Sequence, residues 1–171
     1  PDVRKDRVMK TIFAFADASY CARTGNAGIG LFSVNGKAIK QASRVITGGA
    51  DSSGEAEGLA LTRAVTLALE SFAKAGDIIV AVSDCEEAIK RLDGRLGRDV
   101  RNDRLSRERA DIERVASLLG VKVQFERFGE SALPRGGKEI HTWCDRAARQ
   151  ALAMTGALTA LTDTTDTARV A

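Results

Sequence analysis

Thr11-Ile-Phe-Ala-Phe-Ala-Asp-Ala-Ser19 is a run of apolar and β-favouring residues with no internal glycine or proline, and it predicts a strand covered on both faces. Its carboxyl end delivers a carboxylate, Asp17. Burying an ionised aspartate among Ile12, Phe13 and Phe15 costs on the order of several kcal/mol unless partners or a metal ion hold it. Asp17 therefore needs company, and Glu57, Asp84 and Asp145 are the acids elsewhere in the chain placed to supply it.

Working outward, Tyr20 to Asn26 is a turn-rich connection and Ala27-Gly-Ile-Gly-Leu-Phe-Ser-Val34 alternates as a second strand. Asn35-Gly36 is a two-residue hairpin signal, so Lys37 to Ile46 is a third strand and three antiparallel strands open the fold. Ser52 or Ser53 caps a helix over about Glu55 to Lys74, in which Glu57, Ala60, Leu61, Ala64, Leu67 and Ala68 share a face. Glu57 heads that otherwise apolar stripe, and Glu55 fits an exposed first-turn glutamate favoured by the helix dipole. Ile78-Ile-Val-Ala-Val-Ser83 is a continuous apolar run, read as a central strand, and it ends on Asp84. There a simple capping aspartate has the same signature as a functional one. Helices follow over Glu86 to Leu92 and about Asp103 to Leu119, then an alternating fifth strand, Val121 to Phe128. A loop from Gly129 to Gly137 precedes a last helix over about Lys138 to Thr155, which carries Asp145 and is read as stopping at Gly156.

This order predicts an α/β fold: a five-stranded mixed sheet, three antiparallel strands then two parallel, flanked by helices. The predicted divisions are a charged extension over residues 1–10, one domain over 11–156 and a flexible tail rich in Thr and Ala over 157–171. A length of 171 residues with 44% hydrophobic and 29% charged residues suits one globular domain. No run of eighteen apolar residues exists and the first ten residues are too charged for a signal peptide, so a cytoplasmic protein is expected, with no membrane partner and as a monomer. Cys21, Cys85 and Cys144 show no C-x-x-C spacing, which argues against a disulfide scaffold or a zinc site and for small buried hydrophobes. Trp143 reads as helix packing, and 5% aromatic content argues against a single-strand binder built on base stacking.

The net charge of +3 says little, but Arg91, Arg95, Arg98, Arg101, Arg104, Arg107 and Arg109 crowd one stretch. Either they form a phosphate-gripping surface or they are a solvated face countered by Asp93, Asp99, Asp103, Glu108 and Asp111. The acids are more telling. Strands one and four can lie side by side with two helices across the seam, which would bring Asp17, Glu57, Asp84 and Asp145 together. Four such carboxylates repel unless cations lie between them, and oxygen-only ligation suits Mg²⁺ or Mn²⁺. Two ions about 4 Å apart can activate water and straddle a phosphodiester.

Phe15-Ala-Asp17-Ala-Ser19, Gly28-Ile-Gly30, Ala56-Glu57-Gly-Leu-Ala-Leu61, Val82-Ser-Asp84 and Cys144-Asp-Arg-Ala-Ala-Arg-Gln-Ala151 together resemble the ordered acidic motifs of type I ribonuclease H, across roughly residues 11–155. The resemblance implies the ribonuclease H-like fold and hydrolysis of the RNA strand of RNA/DNA hybrids with two Mg²⁺ or Mn²⁺ ions, leaving 3′-hydroxyl and 5′-phosphate ends. By it Asp17 bridges both ions, Glu57 holds one, and Asp84 and Asp145 complete the sites, Asp145 being the more peripheral. Ser52 and Ser53 stand where many members read the RNA 2′-hydroxyl; Ser19, Arg135 and His141 complete the substrate-contacting set. The arginine-rich stretch stands where some members carry a basic protrusion that grips the hybrid.

The sequence also departs from that pattern. Ala18 replaces a glycine common after the first aspartate. The histidine that many members place before the last helix is missing, with Arg135-Gly-Gly-Lys138 in that region. The sole histidine, His141, lies four residues before Asp145; it can carry protons at the metal edge, pair with Asp145, or cap the helix. The alternative to an enzyme is a catalytically silent module of the same fold that binds nucleic acid or a protein. A nuclease acting on branched or single-stranded DNA fits the acidic motifs less well.

Overall fold

The computed structural model describes residues 8–94, 104–129 and 133–167, with side chains up to residue 156. Strands β1 (Thr11–Cys21), β2 (Asn26–Asn35) and β3 (Ala38–Ile46) form an antiparallel meander. Helix α1 (Ser53–Ser71) crosses over to β4 (Ile78–Ser83), which pairs parallel with β1. Helices α2 (Glu86–Leu92) and α3 (Arg104–Leu119) lead to β5 (Lys122–Arg127), parallel to β4, and α4 (Gly137–Thr167) follows. The sheet order is β3-β2-β1-β4-β5, the predicted mixed sheet of three antiparallel and two parallel strands.

The central position of β1 and β4 follows from their composition, since runs apolar on both faces need a layer on each side. Alternate residues Ile12, Ala14 and Ala16 of β1 pack with Leu59, Ala60 and Leu61 of α1. Phe15 joins Phe32, Val34, Val80, Val82 and Cys144 in the second core, against α4. By the same two-residue period Asp17 belongs to the α4 face, where it is 9% exposed.

Helix α4 lies on β2 at unusually close range, and Gly28 and Gly30 are why. A Cβ on Gly30 would stand 2.9 Å from the Cα of Cys144, and one on Gly28 would stand 2.7 Å from the Leu152 amide nitrogen. Gly30 is the cross-strand partner of Asp17, so the same close approach brings the start of α4 beside the acidic strand.

Several expectations need correction. Glu55 is not an exposed first-turn glutamate but is 4% exposed. Its carboxylate accepts from the Asp51 amide, just before the cap, at 2.7 Å while Ser52 Oγ caps the helix by accepting from the Glu55 amide at 3.1 Å. Burial of α1 extends well beyond the predicted stripe, to Leu59, Val65 and Leu69, because α3 covers a further side of the helix. Gly156 does not stop the last helix, which continues to Thr167. An interior glycine costs only about 1 kcal/mol relative to alanine, and the flanking Ala, Leu and Met residues favour propagation. Of the predicted extension only Val8, Met9 and Lys10 are described; Arg95, Arg98 and Arg101 lie outside the described residues. Among the described residues no helix is long and apolar enough to cross a membrane.

Candidate active site

Asp17 and Glu57 meet. Glu57 reaches from the second turn of α1 to the carboxyl-terminal half of β1, and the two side chains share a hydrogen bond. Burial and the adjacent Asp17 charge push the Glu57 carboxyl up to about 9, so Glu57 keeps its proton and donates it to Asp17. Burial likewise raises Asp17 above the ordinary carboxylate range, opposed by the bond from Glu57 and by the His141 imidazole. The Ala18 amide donates to Asp17 Oδ1 at 2.8 Å, a backbone contact with no sequence signal. The second Glu57 oxygen, Oε2, is buried without a hydrogen-bond partner among the described residues.

Asp84 stands at the edge of this pair. It follows β4, the parallel neighbour of β1, and its charge raises both Asp17 and Glu57. Its side chain is 58% exposed and faces His141 Nε2 at 3.6 Å, within ion-pair reach but beyond a hydrogen bond. The capping reading of Asp84 fails: Cys85 is the cap residue of α2, and its amide donates to Ser83 Oγ. His141 packs against Phe128 with ring centroids 5.0 Å apart, and its Nε2 has no hydrogen-bond partner among the described residues. His141 thus faces Asp84, not Asp145, because Asp145 is held one turn further on by Arg149 Nε at 2.8 Å. Phe128, an aromatic just past β5, makes the ring contact with His141 that the sequence spacing does not show.

The four acids are therefore not gathered into one clasp. Two share a proton, a third faces an imidazole and the fourth an arginine, which is how like charges settle when each can find its own partner. Among the described residues no three His, Cys, Asp or Glu side chains stand close enough to hold an ion as they are. The unpartnered Glu57 Oε2, the pair of carboxyls raised by burial and the purely oxygen donor set nevertheless fit a hard divalent cation.

Ser19 lies two residues past Asp17 on the same face of β1, opposite Gly28. Ser52 is the helix cap and Ser53 is exposed beside it at the start of α1. Arg135 is exposed in the turn before α4. Sequence reading overlooked Glu87, whose carboxylate lies against Gly54 in the first turn of α1, where a Cβ would stand 2.5 Å from Oε2. Cys144 is buried as predicted, its thiol pushed up to about 12 by burial and the neighbouring acids. Cys21 and Cys85 are only half-buried, since both stand where a strand gives way to a turn. Trp143 packs edge-on against Phe32 with centroids 5.7 Å apart, the structural role expected of it.

The buried pair sets a pH dependence. A carboxyl whose folded-state pKa is raised keeps its proton in the folded chain at pH values where the unfolded chain has lost it. The folded state thus binds more protons between about 4.5 and about 9, and stability falls as pH rises through that window. Urea denaturation in chelator at about pH 5 and about pH 8 is expected to give the higher midpoint at the lower pH; the reverse order would contradict the shared proton.

No family model matches the sequence. No curated protein matches it either. Solved structures do. RNase H1 from the halophilic archaeon Halobacterium salinarum NRC-1 aligns over 84% of this chain and 98% of its own, with 21% identity and TM-score 0.62. The N-terminal RNase H domain of rv2228c from Mycobacterium tuberculosis aligns over 88% and 99%, with 18% identity and TM-score 0.65. LC11-RNase H1, solved in complex with an RNA/DNA hybrid, aligns over 84% and 98%, with 19% identity and TM-score 0.60. At such identities the likeness speaks to architecture, and the five strands, their order and the helices across them agree with it: this chain has the ribonuclease H-like fold.

Proposed function

We propose that this protein is a divalent-metal-dependent endonuclease that hydrolyses the RNA strand of RNA/DNA hybrids, leaving 3′-hydroxyl and 5′-phosphate ends. The observation that carries the reading is the buried Asp17–Glu57 pair, with an unpartnered Glu57 oxygen and Asp84 at its edge, on the two central strands of a ribonuclease H-like fold. A fold needs no such pair for stability, since burying two carboxyls together is costly. The hybrid seen with LC11-RNase H1 supports the substrate class.

Asp17, Glu57, Asp84 and Asp145 would hold two Mg²⁺ or Mn²⁺ ions. When bound, such ions make water a nucleophile near neutral pH and offset charge on the phosphate and the departing oxygen. The chain does the rest. Asp17 is fixed by the Ala18 amide and by its place on β1. Glu57 must give up its proton before it can ligate, and the low-dielectric wall that raises its carboxyl also sharpens its interaction with a cation. His141, walled by Phe128, can take or give a proton beside Asp84. Ser52 and Ser53 would meet a 2′-hydroxyl of the RNA, with Ser19 and Arg135 as the further substrate contacts.

The test is a panel of RNA/DNA hybrid, double-stranded RNA, double-stranded DNA and single strands, with Mg²⁺ or Mn²⁺. Cleavage confined to the RNA of the hybrid is expected, with Asp84→Asn removing it at an unchanged melting temperature; an undiminished rate in that variant rejects the assignment. Magnesium is also expected to raise the melting temperature most at high pH, where it offsets the repulsion between Asp17 and Glu57. Hybrid binding by the unaltered protein without any cleavage would favour a silent binding module.

A further inference from the structure

One carboxylate beside the site has no task yet. Glu87 belongs to α2, three residues past Asp84, and its side chain reaches across to the first turn of α1. There it lies over Gly54: a Cβ on Gly54 would stand 2.5 Å from Oε2 and 2.9 Å from Oε1, so a side chain at that position would displace the carboxylate. Gly54 is buried beneath it, directly after the exposed Ser53 and one helical turn before Glu57. The Cys85 thiol feels the charges of both Glu57 and Glu87, which puts Glu87 at the rim of the acid site.

Its oxygens are available. Glu87 is exposed and makes no hydrogen bond or ion pair with any described residue. The neighbouring acids are engaged elsewhere: Glu86 pairs with Lys90 at 2.6 Å and with Arg127 at 3.4 Å, and Glu55 turns back to the Asp51 amide at 2.7 Å. Asp51, just ahead of the cap, and Asp84 are further exposed acids, so the local charge is negative and disfavours a phosphate. An ionised carboxylate only accepts, and what it takes here is a neutral donor. Along the sugar–phosphate backbone of a nucleic acid the ribose 2′-hydroxyl is such a donor, and DNA lacks it.

We propose that Glu87 is a specificity-determining residue: its carboxylate accepts a hydrogen bond from a 2′-hydroxyl of the RNA strand where that strand passes Ser53 and Gly54, and it disfavours a deoxyribose in the same place. The assignment rests on the hybrid reading proposed above and adds to it a residue from a different helix. A serine hydroxyl bonds in either direction and carries no charge, so by itself it discriminates weakly. Glu87 supplies the sign: removing the hydroxyl leaves a carboxylate without its donor beside a polyanion.

The experiment measures anisotropy in chelator, so that nothing is cut, on labelled RNA/DNA hybrids in which one ribonucleotide at a time is replaced by its 2′-deoxy form, and on a DNA duplex of the same sequence. The proteins are the unaltered chain, Glu87→Ala, Glu87→Gln and Glu113→Gln, the last an exposed acid on α3 that controls for loss of charge alone. The unaltered protein is expected to prefer the hybrid and to lose about 3–10-fold in affinity when one particular hydroxyl is removed, as for one exposed hydrogen bond to a charged acceptor. In Glu87→Ala that substitution is expected to have no effect while the other positions keep theirs, and the preference for hybrid over duplex is expected to fall by the same factor. Glu87→Gln, which keeps the shape and one acceptor oxygen, is expected to lie between, and Glu113→Gln to match the unaltered protein. Hybrid preference with the same dependence on every hydroxyl in the unaltered protein and in Glu87→Ala would overturn the assignment and leave the hybrid reading standing. Equal binding of hybrid and duplex by the unaltered protein would sink both. A Glu87 effect that arises only once Mg²⁺ is added would also overturn the assignment and make Glu87 a cation ligand.

Discussion

Asp17→Asn is expected to reduce hybrid cleavage at least about 10³-fold and, in metal-free buffer, to raise the melting temperature. Both effects come from one change. The carboxylate oxygens that would hold a cation are halved in charge capacity, and losing several kcal/mol of charge stabilisation corresponds to about three powers of ten in rate. At the same time the side chain keeps its shape and can still bond to Glu57, while the charge that pushes Glu57 up disappears. Each kcal/mol of relieved repulsion raises the melting temperature of a domain this size by about 2–4 °C. Activity lost together with stability gained separates a functional carboxylate from a structural one, whose loss would lower both. Cleavage assays and melting curves on the same preparation check it, and a variant that is both active and less stable would contradict the site.

Gly30→Ala should be the most damaging conservative change in the sheet. The new methyl group would meet the backbone of Cys144 in α4, 2.9 Å from its Cα, and backbone cannot rotate away as a side chain can. Overpacking of this kind costs about 1–3 kcal/mol, and at this contact the upper end is expected, with a melting temperature lower by about 5–10 °C. The shift should also reach the site, since α4 carries His141 and Asp145 and Gly30 lies opposite Asp17. Gly156→Ala is the matched contrast: nothing lies within 4 Å of its added Cβ, and in a helix interior the change is expected to stabilise by up to about 1 kcal/mol. Equal urea midpoints for the two variants would refute the close seating of α4.

Much of the architecture was legible because it rests on local, periodic signals. The double-sided apolar runs of β1 and β4 marked the centre of the sheet, Asn35-Gly36 marked the hairpin, and the spacing of Glu57 along α1 placed an acid above the strand that carries Asp17 and Ser19. The outcome at Glu55 and Gly156 depends on contacts a linear pattern does not hold: a carboxylate turned back onto the Asp51 amide, and a helix already propagating when it meets its glycine. The same holds at the site. That Asp17, Glu57 and Asp84 belong together could be inferred from the order of motifs along the chain. That Glu57 shares a proton with Asp17, and that His141 turns to Asp84 while Asp145 turns to Arg149, could not. Those partnerships form between side chains far apart in the chain, and each is settled by burial, which strengthens charge interactions many-fold over water and so lets position in the folded molecule outweigh residue type.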